Sequence, residues 1–245
     1  MTFTDFNLYQ IIQGISALLW VLIAIIVGVR ILMKAIELKR KSLIGVGFTY
    51  IFVCSSWWGS VVQFIYYSIF PNLMPNVIYL FLSNVFVPLT LIFWMYAFVV
   101  TITPFKKKII LLLTIIFVIV WEVTLLTLFF TNNITLIGGI SELNPLDLAF
   151  GPVVRYFIII GILTFLITGG YFSYRSIKLG EPEIKWKGIF LLMAWLSFTL
   201  GALLDALIYL NEITLILIRL LLISSAIEYY LGFFLPKELK NILIK

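Results

Sequence analysis

Residues 201–236 read GALLDALIYLNEITLILIRLLLISSAIEYYLGFFLP. Two apolar runs meet at Asn211-Glu212, and each has about the 20 residues that a helix needs to cross hydrocarbon. One run carries Asp205 and the other Arg219. An ionisable side chain in hydrocarbon is expensive unless it is paired or faces a cavity. Antiparallel helices joined by a tight turn bring together residues equally far from that turn. Asp205 lies about six residues before it and Arg219 about seven or eight after it, a height difference of a few ångströms at about 1.5 Å per residue. The stretch therefore predicts a membrane hairpin whose two charges either pair with each other or line a site. Glu122, at a similar depth, is the competing partner for Arg219.

The rest of the chain has the same character. It is 63% hydrophobic and 11% charged, with a mean hydropathy of +1.16. A water-soluble domain carries roughly 25% charged residues, so that class is excluded. Apolar runs predict helices at about 8–37, 43–69, 76–102, 108–131, 153–178, 187–210 and 212–235. Proline and glycine separate them: Pro71 and Pro75, Pro104, then Gly138-Gly139, Asn144-Pro145 and Gly151-Pro152 in the longest loop, 132–151. The first run has no Lys or Arg before it and is too long for a signal peptide, so it is expected to stay as a spanning helix. No histidine is present and Cys54 is the single cysteine. Imidazole chemistry, an intramolecular disulfide and a cysteine zinc cluster are thereby excluded.

Charge sets the expected orientation. Of the 17 Lys and Arg residues, all but Arg30, Arg155 and Arg219 fall near alternate helix ends: Lys34 to Lys41, Lys106 to Lys108, Arg175 to Lys187, and Lys237 to Lys245. The opposite loops have none. The positive-inside rule then puts the N-terminus outside and the C-terminus in the cytoplasm. The net charge of +6 follows from this bias, and no nucleic-acid partner is expected. The sequon Asn133-Ile134-Thr135 falls on the outer side, as such a triplet requires.

An internal repeat is also legible. Ser55, Gly59, Gln63 and Tyr67 recur four apart on the second helix, and Ser197, Gly201, Asp205 and Tyr209 recur in the same order on the sixth. Residues four apart share a helix face. Gly28, Lys34, Ile36 and Leu38 correspond likewise to Gly169, Arg175, Ile177 and Leu179. The fold class expected is all-α integral membrane: one domain, 1–245, with a three-plus-one-plus-three plan. Repeat A covers about 8–104, a linker helix about 108–131, and repeat B about 153–236.

Two layers of buried polar residues are candidate sites. Gln63, Asn84, Glu122, Arg155, Asp205 and Arg219 lie in the outer half at similar heights and are the candidate ligand-binding residues of an outward-facing pocket. The alternative is a set of interhelical bonds that lock the bundle. Arg30 and Glu228 lie in the inner half and are expected to form a buried ion pair. Tyr66, Tyr67, Trp186 and Tyr209 read as interfacial anchors, and Trp57 and Trp58 as core packing.

Seven helices in this plan, with the N-terminus outside, resemble the broad rhodopsin, receptor and PQ-loop transporter architecture. The resemblance is one of topology over the whole chain. No lysine lies between Lys187 and Lys237 to form a retinal Schiff base, no Pro-Gln pair is present, and a single cysteine cannot make a receptor's outer disulfide. The segments PLTLIFWMYAFVVTITPFKKK (88–108) and YRSIKLGEPEIKWKGIFLLMAW (174–195) are similar to the seven-helix sensor region of some membrane histidine kinases. That resemblance implies a sensor or receptor-like module that binds a small-molecule ligand and signals through a separate cytoplasmic protein. A small-solute or ion transporter and a structural subunit of a membrane complex are the alternatives. No nucleophile–base pair, metal cluster or phosphate loop is visible, so neither an enzyme nor a cofactor is expected. The expected location is the cell membrane, as a multi-pass protein in contact with the lipid bilayer.

Overall fold

The structure, a computed structural model, describes residues 6–70, 72–141, 144–208 and 211–244. Its helices are α1 (Leu8–Glu37), α2 (Lys41–Val53), α3 (Trp58–Ile69), α4 (Asn76–Asn84), α5 (Val87–Thr101), α6 (Lys107–Phe130), α7 (Pro152–Lys178), α8 (Pro182–Leu207), α9 (Glu212–Phe234) and α10 (Lys237–Leu243). Among the described residues, seven segments are long and apolar enough to cross a membrane: α1, α2 with α3, α4 with α5, the segment ending in α6, α7, α8 and α9. The protein is thus an all-α bundle with seven candidate membrane spans. Its surface fits a bilayer, because α6 turns Leu112, Ile119 and Val123 outward, each more than half exposed.

Local chemistry explains where the helices begin. Asn7 caps α1 through a capping box, its Oδ1 accepting from Gln10 N at 2.8 Å while its own N–H donates to Gln10 Oε1 at 3.1 Å. Asn211 starts α9 in the same manner, exchanging bonds of 2.9 Å with Thr214. α8 begins at Pro182, earlier than the apolar run near 187 suggests, because proline suits the first turn of a helix and Glu183 pairs with Lys187 at 2.7 Å.

Two spans expected to be continuous are broken. A 3-10 turn, Cys54–Trp57, separates α2 from α3. Val85 and Phe86 separate α4 from α5. The second break has a clear cause. Pro88 has no N–H for the carbonyl of Asn84, and its ring crowds that carbonyl.

The helices form a ring. α1 packs on α2 and α9, α2 on α5, α5 on α7, α7 on α8, and α8 on α9. α6 stands outside against α5 and buries only one stripe, Val118, Trp121 and Leu125. At one end of the ring the loop before α7 folds into a two-stranded antiparallel ribbon, β1 (Gly138–Ile140) with β2 (Leu148–Phe150), Gly139 facing Ala149. This end is called the hairpin end below, and the opposite end, with the basic clusters, the lysine end.

Candidate functional site

Asn144 to Asp147, in the loop between β1 and β2, enter the bundle. Asn144 and Leu146 are almost wholly buried. Asn144 Oδ1 accepts from Leu146 N at 3.0 Å, and Ser141 N donates to Asp147 O at 2.9 Å, which shapes the turn. Gln63, on α3, fixes the plug in place. Its Nε2 donates to Pro145 O at 3.3 Å, and its Oε1 accepts from Met74 N at 3.0 Å. One amide therefore ties two loops to one helix. Below it Ser60 and Tyr79 share a 3.1 Å hydrogen bond, and Tyr79 reaches Leu146 O at 3.4 Å.

Beneath the plug lies a chain of polar side chains. Trp57 Nε1 donates to Asp205 Oδ2 at 2.9 Å. Asp205 Oδ1 lies 3.0 Å from Arg219 Nη1. Arg219 Nη2 donates to Gln13 Oε1 at 3.2 Å, and Gln13 Nε2 donates to Asp147 Oδ1 at 3.2 Å. The sequence thus runs Trp57, Asp205, Arg219, Gln13, Asp147 and draws on the 3-10 turn, α8, α9, α1 and the plug. The guanidinium also lies 5.7 Å from the Trp57 ring centre, within reach of a cation–π attraction. Arg219 is only 2% exposed, yet among the described residues its Nε and Nη1 are not aligned for any hydrogen bond. The pair with Asp205 is an offset charge contact rather than a two-pronged fork.

A cavity opens beside this chain. Its polar lining comes from Ser56, Trp57, Ser60, Thr90, Asp147 and Asp205, and its apolar walls from Leu91, Trp121, Phe150, Phe165 and Phe198, among others. The empty space, its open side included, is about 710 Å³. Both carboxylates line it, whereas Arg219 stands behind them. The 3-10 turn puts Trp57 here and Ser60 one turn further on. A tight turn inside an otherwise α-helical span often marks a functional position.

The sequence-derived residues divide. Asp205 and Arg219 come together. Gln63 is wholly buried nearby but holds the loops and does not line the cavity. Asn84 donates to Leu80 O at 2.8 Å beside the α4–α5 break, away from the cavity. Arg155 is exposed and donates to Phe150 O at 2.7 Å. Glu122 is half-buried on α6 and has no hydrogen bond among the described residues; its neighbour Trp121 faces the cavity instead. The expected Arg30–Glu228 ion pair is corrected, since neither residue has an ion pair among the described residues. Arg30 is exposed in a groove with Lys34, Glu37, Tyr230 and Phe234. Glu228 lies two residues from Tyr230, roughly 200° around a helix of 3.6 residues per turn, and so points away from that groove. Depth along the axis matched the two, and rotation about it separates them. Trp57, expected as plain core packing, holds Asp205. Tyr209 of the proposed stripe lies outside the described residues.

Sequence reasoning missed Gln13, Ser60, Tyr79, Thr90, Trp121 and, above all, Asp147. The signal for Asp147 was faint: a lone acid between Leu146 and Leu148 in a loop read only for its turn residues. Its environment is unusual. Burial first, then the Asp205 charge, push its carboxyl up to about 7, while Arg219 opposes the shift.

Compared with known family models, curated proteins and solved structures, the chain matches none.

Proposed function

We propose that this chain is a receptor-like seven-helix membrane module that binds a small solute in the plugged cavity and signals through a separate cytoplasmic protein. The observation that carries the reading is the cavity itself, with aromatic walls and a few convergent polar groups. Such a combination is the usual form of a ligand site. Its carboxylates are engaged by Trp57, Arg219 and Gln13, which suits recognition better than acid–base catalysis. The lysine clusters at the opposite end support a hairpin end facing outside, with the N-terminus outside and the C-terminus in the cytoplasm.

The three-plus-one-plus-three plan belongs to the same proposal, with repeat A at about 8–104, the linker helix at about 108–131 and repeat B at about 153–236. Gly28 touches Gly47 across α1 and α2, while Gly169 meets Trp195 and Gly188 meets Ile177 and Ser173 across α7 and α8. Gly59 abuts α4, the next span, and Gly201 abuts α9, again the next span. Close approaches thus recur at matching places in both halves.

A transporter is the second reading. It is favoured by the breaks between α2 and α3 and between α4 and α5, since interrupted spans at a buried site are common in transporters. The test is a thermal-shift screen of small solutes on the purified chain, repeated with Gly161→Leu. An added Cβ at Gly161 meets nothing closer than 3.7 Å, and the branched end of a leucine extends from there into the space between Trp121 and Leu91; a melting temperature without solute close to that of the wild-type chain checks that the variant folds. Stabilisation of the wild-type chain that Gly161→Leu abolishes supports binding in the cavity. Uptake of the same solute by reconstituted vesicles selects the transporter. Stabilisation that persists in Gly161→Leu rejects the cavity as the site.

A further inference from the structure

The cavity has a charge imbalance. Asp147 and Asp205 line it, and Arg219 is the single cation that contacts either of them among the described residues. Arg219 is already engaged by Asp205 and Gln13. Among the described residues, Asp147 receives one side-chain hydrogen bond, from Gln13 at Oδ1, beside the backbone N–H of Leu148. With both carboxylates ionised, a net negative charge is left in a space walled by aromatic rings, where an uncompensated charge is costly. One further acceptor points the same way. Thr90 Oγ1 belongs to a side chain that lines the cavity and is 2% exposed, and it has no hydrogen-bond partner among the described residues.

We propose that the cavity takes a small organic cation, an ammonium group carrying an apolar body, with the charge against Asp147 and Asp205 and the body against Trp57, Trp121 and Phe165. Aromatic faces attract an ammonium ion and also cover its hydrocarbon. An anion is disfavoured because it would meet two carboxylates, with the arginine behind them. A metal ion is disfavoured because, among the described residues, no three His, Cys, Asp or Glu side chains are grouped to hold one. The raised carboxyl of Asp147 fits the assignment: with no cation bound, a proton balances the charge near neutral pH. Cation binding then displaces that proton into solvent.

The proposal rests on the cavity being a ligand site, and the test separates the two claims. The full chain in detergent is titrated with methylammonium, tetramethylammonium and 2-phenylethylammonium, and with two shape-matched controls, neutral 2-phenylethanol and anionic phenylacetate. At least one ammonium ion is expected to raise Tm saturably, by about 2–4 °C once it is well above its Kd, and to bind about tenfold or more tighter than either control. Asp147→Asn is expected to remove that preference and Asp147→Glu to keep it. Should Asp147→Asn not fold, the wild-type chain gives the same reading: moving from pH 8 to pH 5.5 weakens ammonium binding about tenfold and leaves 2-phenylethanol unaffected. Binding of either control as tight as that of every ammonium ion overturns the cation assignment and leaves the cavity reading standing. No shift with any of the five probes overturns both.

Discussion

Arg219 is the residue on which the buried cluster turns. It touches Asp205, Gln13 and the face of Trp57, and it offsets one of two carboxylates. Removing one partner of a buried pair leaves the other charge uncompensated. Arg219→Leu is therefore expected to lower stability by about 3–5 kcal/mol, and Asp205→Asn in the same chain to recover part of it. Thermal unfolding of the single and double variants in detergent measures both, and absence of rescue rejects a structural role for the pair. Asp147 gives a prediction of opposite sign. Its ordinary value near 3.8 is raised to about 7 in the folded chain, so the folded state holds a proton that the unfolded state has released. Its contribution favours folding fully below about 3.8 and is lost as pH rises to about 7. The groups that act on it are Asp205 on α8, Arg219 on α9 and the backbone N–H of Leu148 in β2. Asp147→Asn is expected to raise Tm at pH 8 and leave it unchanged at pH 4. Equal shifts at the two pH values would show that Asp147 does not titrate in this window.

At the scale of elements, the broken spans matter most. Gly59 follows the 3-10 turn, and a Cβ there would lie 1.9 Å from Ser83 Oγ and 2.7 Å from Tyr79 O. The second of these is backbone, so α3 and α4 would have to part. Gly59→Ala is expected to destabilise the chain by about 1–3 kcal/mol, the usual range for overpacking, and to weaken the Ser60–Tyr79 bond that supports the plug. Gly161→Ala, whose added methyl finds ordinary contact distances at 3.7 Å or more, should leave Tm within about 1 °C. Equal effects from the two substitutions would mean that α3 and α4 are not in close approach. The plug is an element in its own right. It is short and carries little secondary structure, and it is held through Gln63, Tyr79 and Gln13, three side chains on three helices.

For the whole molecule, orientation is the testable property. All the basic clusters lie at one end of the ring and the plugged cavity opens near the other. A reporter fused after Lys245 should label as cytoplasmic, and one inserted at Gly139 as external. Reversal of either result would place the cavity on the cytoplasmic side and remove the case for a receptor of external solutes. The ring also assigns α6 a peripheral place, buried along one stripe only. A helix so placed suits a linker between two three-helix halves, as the proposed plan requires.

The seven spans were legible because twenty-residue apolar runs and proline-rich turns are local signals, and hydrocarbon leaves the backbone few alternatives to helix. The Asp205–Arg219 neighbourhood was legible too, since a tight turn fixes the relative height of two antiparallel helices. Arg30 and Glu228 were expected at equal depth, but rotation about an axis, which decides whether they meet, is set by packing against neighbours that are distant in sequence. Asp147 and Gln13 were invisible for the same reason. The sequence separation between them is 134 residues, and only the insertion of a loop into the ring makes them partners. Composition and chain order thus determined that this is a seven-span helical bundle with charges to satisfy. The tertiary structure decided which charges meet, because loop placement and helix rotation depend on non-local packing that no local pattern encodes.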